Sequence, residues 1–551
     1  MSTTKDAFFL KPNVIIGPLV DRWYAWTHLI SPATAAMNIV NRHLKIMNSY
    51  IQSPQIHAAA VRNPKMLGGP FMDYKGSRVE EVKKLKEQIT TQQANAIAFA
   101  EAVNELDALL KLHNKGYSLE ELYSKVPELL KGYVELVYDL NNNPSFRFFE
   151  SLLYKSKFYA EASQSIALWI TDNDERPFCL STPQLNEDQI LHLHIPFNHP
   201  GIDVLSRMKR NPGSIDEVAE ILGVAAEDRA LFDNFFTTQE HPRYKKYKGD
   251  KARMRYFGHA CILIETKDVS ILVDPLISYY GYESSVTHFS DIDLPDIIDY
   301  VLITHNHQDH IVLETLLPLR HKIKNLIVPR TDSGALQDPS LKLVFKAIGF
   351  NQVIEIDDME SITFENCTIT GLPFTGEHSD LNIRAKSCYH IAIDQFTFLF
   401  VADSRVMEAR LYEHVQRVMG DVDVLFLGME CEGAPLSWLY GPLLSENLSR
   451  ENDQSRRLAG CDFEKGMRLI DTFHPKEAYV YAMGQEPWLE FISSIKYTPE
   501  SKPIVQSNML VEECARRGII TERLFGEKEL LYDYENKQAA VQVQSGELLI
   551  G

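Results

Sequence analysis

The stretch Thr304-His305-Asn306-His307-Gln308-Asp309-His310 constrains this chain more than any other. It sets three imidazoles and a carboxylate within six residues, directly behind the apolar run Tyr300-Val301-Leu302-Ile303. Neutral imidazole is the commonest metal ligand, and aspartate adds a hard oxygen donor. An extended segment turns alternate side chains to one side, so His305 and His307 reach one point. The turn that follows can carry Asp309 and His310 to a neighbouring one, so a single short segment can serve two adjacent metals. The competing explanation is a histidine-rich surface loop, against which the position at the end of an apolar strand argues.

A chain of 551 residues exceeds what one hydrophobic core supports, which predicts two domains. The polar, basic segment from Thr237 to Asp250, with Pro242 and Gly249, suits an exposed connector and divides the chain into 1–245 and 246–551. The net charge of -19 disfavours nonspecific binding to nucleic acid and to anionic membrane, because like charges repel. No apolar run approaches a membrane span, and the start Met1-Ser2-Thr3-Thr4-Lys5-Asp6 lacks the basic-then-apolar form of a secretory signal. Seven scattered cysteines without a CxxC pair do not form a disulfide framework, so a cytoplasmic protein with reduced thiols is the simplest expectation.

The first half reads mainly helical. Val79, Val82, Leu85 and Ile89 recur at helical spacing, and Ile97, Phe99, Val103, Leu106 and Leu110 extend the pattern as one long helix. A further helix is predicted from Leu119 towards Tyr138, stopped by Asn141-Asn142-Asn143-Pro144. Gln189–Ile195 alternates as a strand, with His192 and His194 on one face and no third ligand nearby. The second half alternates short strands with helices: strands at 261–264, 271–273, 326–328, 353–356, 368–370, 389–393, 397–401, 424–427 and 478–481, and helices at 313–320, 341–348, 411–419 and 463–472. That texture predicts a layered α/β domain.

Three features coincide in order: Gly258-His259-Ala260 before a hairpin ending in Asp274-Pro275, the His305–His310 cluster after the next strand, and Ala402-Asp403-Ser404 closing a later strand. Together they resemble the metallo-β-lactamase fold over roughly residues 250 to 500. The resemblance implies an αββα sandwich, here preceded by a mainly helical α+β N-terminal domain. Leu302–His310, Gly376-Glu377-His378-Ser379-Asp380-Leu381-Asn382 and Tyr481-Ala482-Met483-Gly484-Gln485-Glu486-Pro487-Trp488 are similar to a narrower group. These are the two-domain diiron oxygenases, typified by the chloramphenicol-pathway enzyme, that β-hydroxylate amino acids carried on nonribosomal peptide synthetases.

That resemblance implies that His305 and His307 bind a first metal and Asp309 and His310 a second, with Asp403 bridging; an N-cap for the segment after Ser404 competes for the Asp403 oxygens. The first metal's third ligand is Glu377 if the oxygenase pattern holds, with His378 in support, and His378 if the hydrolase pattern holds. Three carboxylates beside three imidazoles suit iron better than zinc. The fold's last histidine is missing near Gly484, which leaves His474 as the weak candidate. Asp274 is expected to orient a metal-bound imidazole, His259 to be structural, and Gln485, Glu486 and Trp488 to line the substrate pocket.

The resemblance thus implies an O2-dependent diiron β-hydroxylase in antibiotic biosynthesis, acting on an aminoacyl thioester carried by the phosphopantetheine arm of a carrier domain. An external electron donor is required, since the chain shows no flavin, NAD or iron–sulfur motif. A homodimer through the N-terminal domain, which would also shape carrier access, is a further family-level expectation. The alternative is a two-zinc hydrolase of a lactone, thioester or phosphodiester, for which the same HxHxDH motif serves.

Overall fold

The computed structural model describes residues 7–113, 115–331, 334–532 and 539–540. Its second half builds two sheets face to face. The first runs in the order Val353–Ile356, Ile323–Pro329, Ile298–Leu302, Ser270–Val273, Ile262–Glu265, Ala252–Tyr256, Lys528–Tyr532 and Ala539–Ala540. The second runs Ser361–Phe364, Cys367–Leu372, Cys388–Ile393, Phe396–Phe400, Val424–Gly428, Glu477–Tyr481 and Ile520–Arg523. The two-residue period of a strand decides which side chains meet between them. Ile262, Ile264 and Val273 point inward to Ile391, Phe398, Phe400 and Phe426, while Leu263 and Leu272 of the same strands pack outward. Both outer faces are apolar and therefore covered. Helices Leu313–Leu319 and Leu341–Ala347 share the apolar cluster on the first, and Ala409–Met419, Phe463–Phe473 and Lys502–Arg516 that on the second. The αββα sandwich expected from the sequence is the fold.

Strand direction positions the site. Ser270–Val273, Ile298–Leu302 and Ile323–Pro329 run parallel in one sheet, as do Phe396–Phe400, Val424–Gly428 and Glu477–Tyr481 in the other. Residues that follow parallel strands emerge at one edge, where α/β sheets bind ligands. Asp274, the 304–310 motif, Asp403 and Glu430 each follow one of these strands.

The first half combines helices with a four-stranded sheet, Trp23–Tyr24, Val14–Val20, Gln164–Ile170 and Leu191–Leu193. One apolar cluster runs from Leu10 and Phe99 through to Val301 and Phe345, so this half packs on the outer face of the first sheet. Residues 238–251 carry neither helix nor strand.

The structure corrects several local expectations. The long helix is two, Val79–Gln92 and Ala94–Lys111, broken at Gln93, whose buried amide donates to Asp21 Oδ2 at 2.8 Å. The helix expected over 119–138 is absent: two short 3-10 turns, Glu120–Lys125 and Glu128–Leu130, lead into the hairpin of Val134–Tyr138 with Pro144–Phe148. Pro127 and Gly132 interrupt the helical period, and the asparagine run is the hairpin turn, with Asn142 at φ 58°. The strand expected over 189–195 is shorter, and His192 pairs across to Ala167. Among the described residues no helix is long and apolar enough to cross a membrane, and all seven cysteines are unpaired thiols.

Candidate metal centre

Thr304 opens the motif by donating its backbone N–H and its hydroxyl to the two oxygens of Asp274, at 2.7 and 2.5 Å. This ties the end of one parallel strand to that of its neighbour. Asn306 N–H donates to Ala385 O at 3.0 Å, and Thr27 Oγ1 donates to Asn306 Oδ1 at 2.5 Å, so the loop is held by both halves of the chain. Backbone strain concentrates here: His259, Asp274, Glu377 and Ala402 all adopt positive φ, between 39° and 65°. Non-glycine residues hold such angles only where surrounding contacts over-determine them.

The three motif imidazoles share a design. Each has one ring nitrogen occupied by a protein partner and the other turned towards a carboxylate. His310 Nδ1 lies 2.8 Å from Asp274 Oδ2, leaving Nε2 at 3.1 Å from Asp403 Oδ2. His305 Nδ1 lies 3.0 Å from Thr304 Oγ1, leaving Nε2 without a hydrogen bond and 3.8 Å from Asp403 Oδ2. His307 Nε2 lies 3.1 Å from the Tyr440 hydroxyl, leaving Nδ1 at 3.0 Å from Glu377 Oε1. A partner on one nitrogen fixes the tautomer and presents the other's lone pair, as metal-binding histidines require.

His259 behaves differently. Its Nδ1 accepts from Gly484 N–H at 3.2 Å, which leaves the proton on Nε2, 3.5 Å from Asp309 Oδ2. With the proton there, it faces Asp309 without a hydrogen bond and offers that carboxylate no lone pair. His378 stacks on His307 with centroids 4.4 Å apart, and its Nδ1 stands 2.9 Å from Glu377 Oε2. Asp403 caps no helix, since the next one begins at Ala409 with Glu408 as its cap. A Cβ on Gly428 would collide with Asp403 Oδ1, so glycine leaves the carboxylate its room.

Three groups bring ligand-type atoms within 4.8 Å of one another: His305, His307 and Glu377; His305, His310 and Asp403; and His259, Asp309 and His310. These residues fit a dinuclear cation site. His305 Nε2 and Asp403 Oδ1 are buried without hydrogen-bond partners, which is costly unless a cation meets them. Burial drives the His307 pKa down, but Glu377 more than offsets this and raises it. Burial likewise opposes ionisation of Glu377, yet His307 and His378 hold its pKa well below the usual range. Burial, with His310, His307, His378 and His259 around it, pushes His305 well below its ordinary value.

Sequence reasoning missed Glu430 and Tyr440. Glu430 lines the same cavity, and burial together with Asp403, Asp309 and Glu377 pushes its pKa well above the usual range. A signal existed, since Glu430 follows an apolar strand just as Asp403 does; Tyr440 stands between the short helical turns Leu436–Leu439 and Gly441–Leu443, with no local pattern to mark it. Other expectations are corrected. His474 is exposed at the C-terminal end of the helix Phe463–Phe473, 3.1 Å from Asp421. It precedes its strand and so lies at the wrong end of the sheet. Gln485, Glu486 and Trp488 do not line the cavity over the cluster. Glu486 is buried and accepts from the Tyr256 hydroxyl, and Trp488 packs against Gly258 and His288.

The cavity encloses about 520 Å³ above His307, Asp309, Glu377, Asp403 and Glu430. Its walls come from Arg42 and the 64–70 loop of the first half, and from Trp438, Leu439 and Ile492 of the second. The Arg42 guanidinium donates to the carbonyls of Trp438 and, at 3.1 Å, Leu439, bracing the segment that carries Tyr440.

Comparison with known proteins gives two family matches: the diiron non-heme beta-hydroxylase N-terminal domain over residues 9–240, and the beta-lactamase superfamily domain over residues 253–433. The 4-amino-L-phenylalanyl-[CmlP-peptidyl-carrier-protein] 3-hydroxylase of Streptomyces venezuelae is 36% identical over 525 residues, covering 94% of this chain and 98% of that protein. The crystal structure of CmlA, a diiron beta-hydroxylase from Streptomyces venezuelae, superposes with a TM-score of 0.90 at 35% identity, covering 96% of this chain and 100% of that one. A mutant of the CmlA beta-hydroxylase superposes at 0.87, also at 35% identity, covering 95% and 100%.

Proposed function

Because this chain belongs to the diiron non-heme β-hydroxylases, we propose that it hydroxylates the β-carbon of an aminoacyl group tethered to a peptide-synthetase carrier domain, using O2. The observation that carries the reading is Glu377: buried, with Oε1 at 3.0 Å from His307 Nδ1, it puts a carboxylate where a hydrolase of this fold would use an imidazole. The two-zinc hydrolase is set aside, since the relatedness to a β-hydroxylase covers nearly the whole chain.

His305, His307 and Glu377 would hold one iron and Asp309 and His310 the other, with Asp403 between them and Glu430 the remaining carboxylate at hand. Two iron ions so held supply O2 activation and the oxidising power for one C–H bond. One oxygen atom enters that bond, the other leaves as water, and two electrons come from an external donor. The chain's own work is to fix the ligands and exclude water. Asp274 and Thr304 hold the ring planes of His310 and His305, and Tyr440 holds His307. The cavity walls of Trp438, Leu439 and Ile492 favour an apolar side chain over bulk water, and Lys65 and Lys496 at the cavity suit the phosphodiester of a carrier arm. The division at 245/246 gives the N-terminal unit the task of shaping this access. Exposed Leu112, Tyr117 and Leu140 on that unit support a homodimer, and the reduced thiols a cytoplasmic setting.

The test is single-turnover incubation of the iron-loaded, chemically reduced chain with aminoacyl-loaded carrier domains under 18O2. Mass spectrometry of the released amino acid should show one 18O at the β-carbon. Release of unmodified amino acid by thioester hydrolysis alone would refute the reading.

A further inference from the structure

A second cavity opens on the seam between the two halves of the chain. It encloses about 380 Å³ and shares no lining residue with the cavity above the carboxylate–imidazole cluster. The helix Leu313–Leu319 places it. That helix begins just after His310 and ends in Arg320-His321-Lys322. Arg320 fastens this end to the helix Pro200–Arg207, with Nε 3.0 Å from Asp203 Oδ1, and to the Ile348 carbonyl at 2.6 Å. The space left between the two helix ends and the strand Val14–Val20 is the cavity.

Its charge does not balance internally. Lys209 and Lys322 are each 9% exposed, and the Arg210 side chain 11%. Lys209 has Asp291 Oδ2 and Pro12 O, both at 3.2 Å. Arg210 has Asp296 Oδ1 at 2.7 Å and the carbonyls of Asp291 and Leu294 at 2.6 Å. The third carboxylate on the wall, Glu314, is held bidentately by Arg176. Each of these acids therefore already faces a basic partner other than Lys322, although Asp291 Oδ1 makes no hydrogen bond. Among the described residues Lys322 has neither a hydrogen bond nor an ion pair, while Arg207 stands at the exposed rim of the same space. Asp291 and Asp296 act on Lys322 only from a distance, and a buried ammonium with no direct partner costs several kcal/mol. Burial, reinforced by Arg210 and only partly offset by Asp291 and Asp296, holds its pKa down to about 7.

We propose that this seam cavity binds a phosphate group, with Lys322 meeting the anion from the floor and Arg207 from the rim. A phosphate offers acceptor oxygens in several directions, which an ammonium and a guanidinium on separate walls can meet together; a single carboxylate would use fewer. The apolar walls of Val14, Ile16 and Leu319 give room for an organic substituent, so the source is either inorganic phosphate or a phosphomonoester. Either occupant ties the two halves together where they meet and stabilises the folded chain by mass action.

Calorimetric titration of the full-length chain near pH ~7, in phosphate-free buffer at fixed ionic strength, tests this with inorganic phosphate and, separately, phenyl phosphate. The expected result is one saturable site per chain and a rise in Tm with ligand. Tighter binding of phenyl phosphate assigns an organic phosphate, and equal binding inorganic phosphate. Lys322→Met should weaken binding about tenfold or more and raise the Tm of the ligand-free chain, because it removes a buried ammonium that has no direct partner. Lys83→Met, on an exposed helix, should leave binding unchanged. Absence of saturable binding by both ligands, or wild-type affinity in Lys322→Met, overturns the site. Should Lys322→Met fail to fold, Arg207→Gln at the exposed rim replaces it, and unchanged affinity there counts equally against the proposal.

Discussion

His305, His307 and His310 differ from a buried histidine outside the site, such as His390, in how their ring nitrogens are used. His390 is equally enclosed, yet both its nitrogens lack partners and no carboxylate approaches it. The motif histidines each use one nitrogen on Thr304, Tyr440 or Asp274 and aim the other at an acid. The ligand types were legible because strand periodicity and the motif lie in contiguous sequence. Asp274 was legible as a partner too, but Tyr440 and Glu430 were not, because they arrive from a distant segment whose placement depends on tertiary packing with Arg42. Gly428 supplies a residue-scale prediction. Gly428→Ala drives a methyl group into Asp403 Oδ1, so the carboxylate must move at a cost of about 1–3 kcal/mol. Metal analysis should show iron occupancy falling while far-UV circular dichroism stays unchanged.

At the scale of elements, the strands and helices expected in the second half fell where the apolar runs placed them, because a strand such as Val424–Gly428 is buried along its whole length and leaves a continuous signal. Ser361–Phe364, Ile520–Arg523 and the helix Lys502–Arg516 were not expected, and the two strands are half-buried to exposed edges of their sheet. The first half was less legible. Apolar positions continue through Gln93 in helical register, but the helix breaks there to let the Gln93 amide reach Asp21 in the turn between Val14–Val20 and Trp23–Tyr24. That contact needs a residue 72 positions away and has no local signature. Burial raises the Asp21 pKa from 3.8 to about 7, with the Gln93 hydrogen bond only partly offsetting it. For an acid whose folded pKa is raised, the stabilising contribution is fully present below the unfolded value and lost as pH climbs through the folded one. Urea unfolding should therefore show wild type losing up to about 4 kcal/mol relative to Asp21→Asn between about pH 4 and 7, with no further divergence above.

On the scale of the whole molecule, the two halves are one packing unit. The N-terminal apolar cluster continues into the outer face of the first sheet. Arg176 reaches Glu314 bidentately at 2.7 and 2.8 Å, with its guanidinium 3.5 Å from the Phe491 ring centroid. Composition and a polar connector predicted two domains but could not reveal this joint, because partners across an interface leave no mark on local patterning. Arg176→Met strands the Glu314 carboxylate, which is 4% exposed, and should cost about 3–5 kcal/mol in denaturant unfolding. Since the apolar cluster spans the seam, both halves should lose structure in one transition at a lower midpoint.

The central claim is that a carboxylate, Glu377, completes the first iron's ligand set. The direct test is iron content per chain after anaerobic ferrous loading and desalting, compared among wild type, Glu377→Ala and His378→Ala. Two irons in wild type, about one in Glu377→Ala and two in His378→Ala are the predicted outcome. Loss of an iron from His378→Ala alone, with Glu377→Ala still holding two, would contradict it.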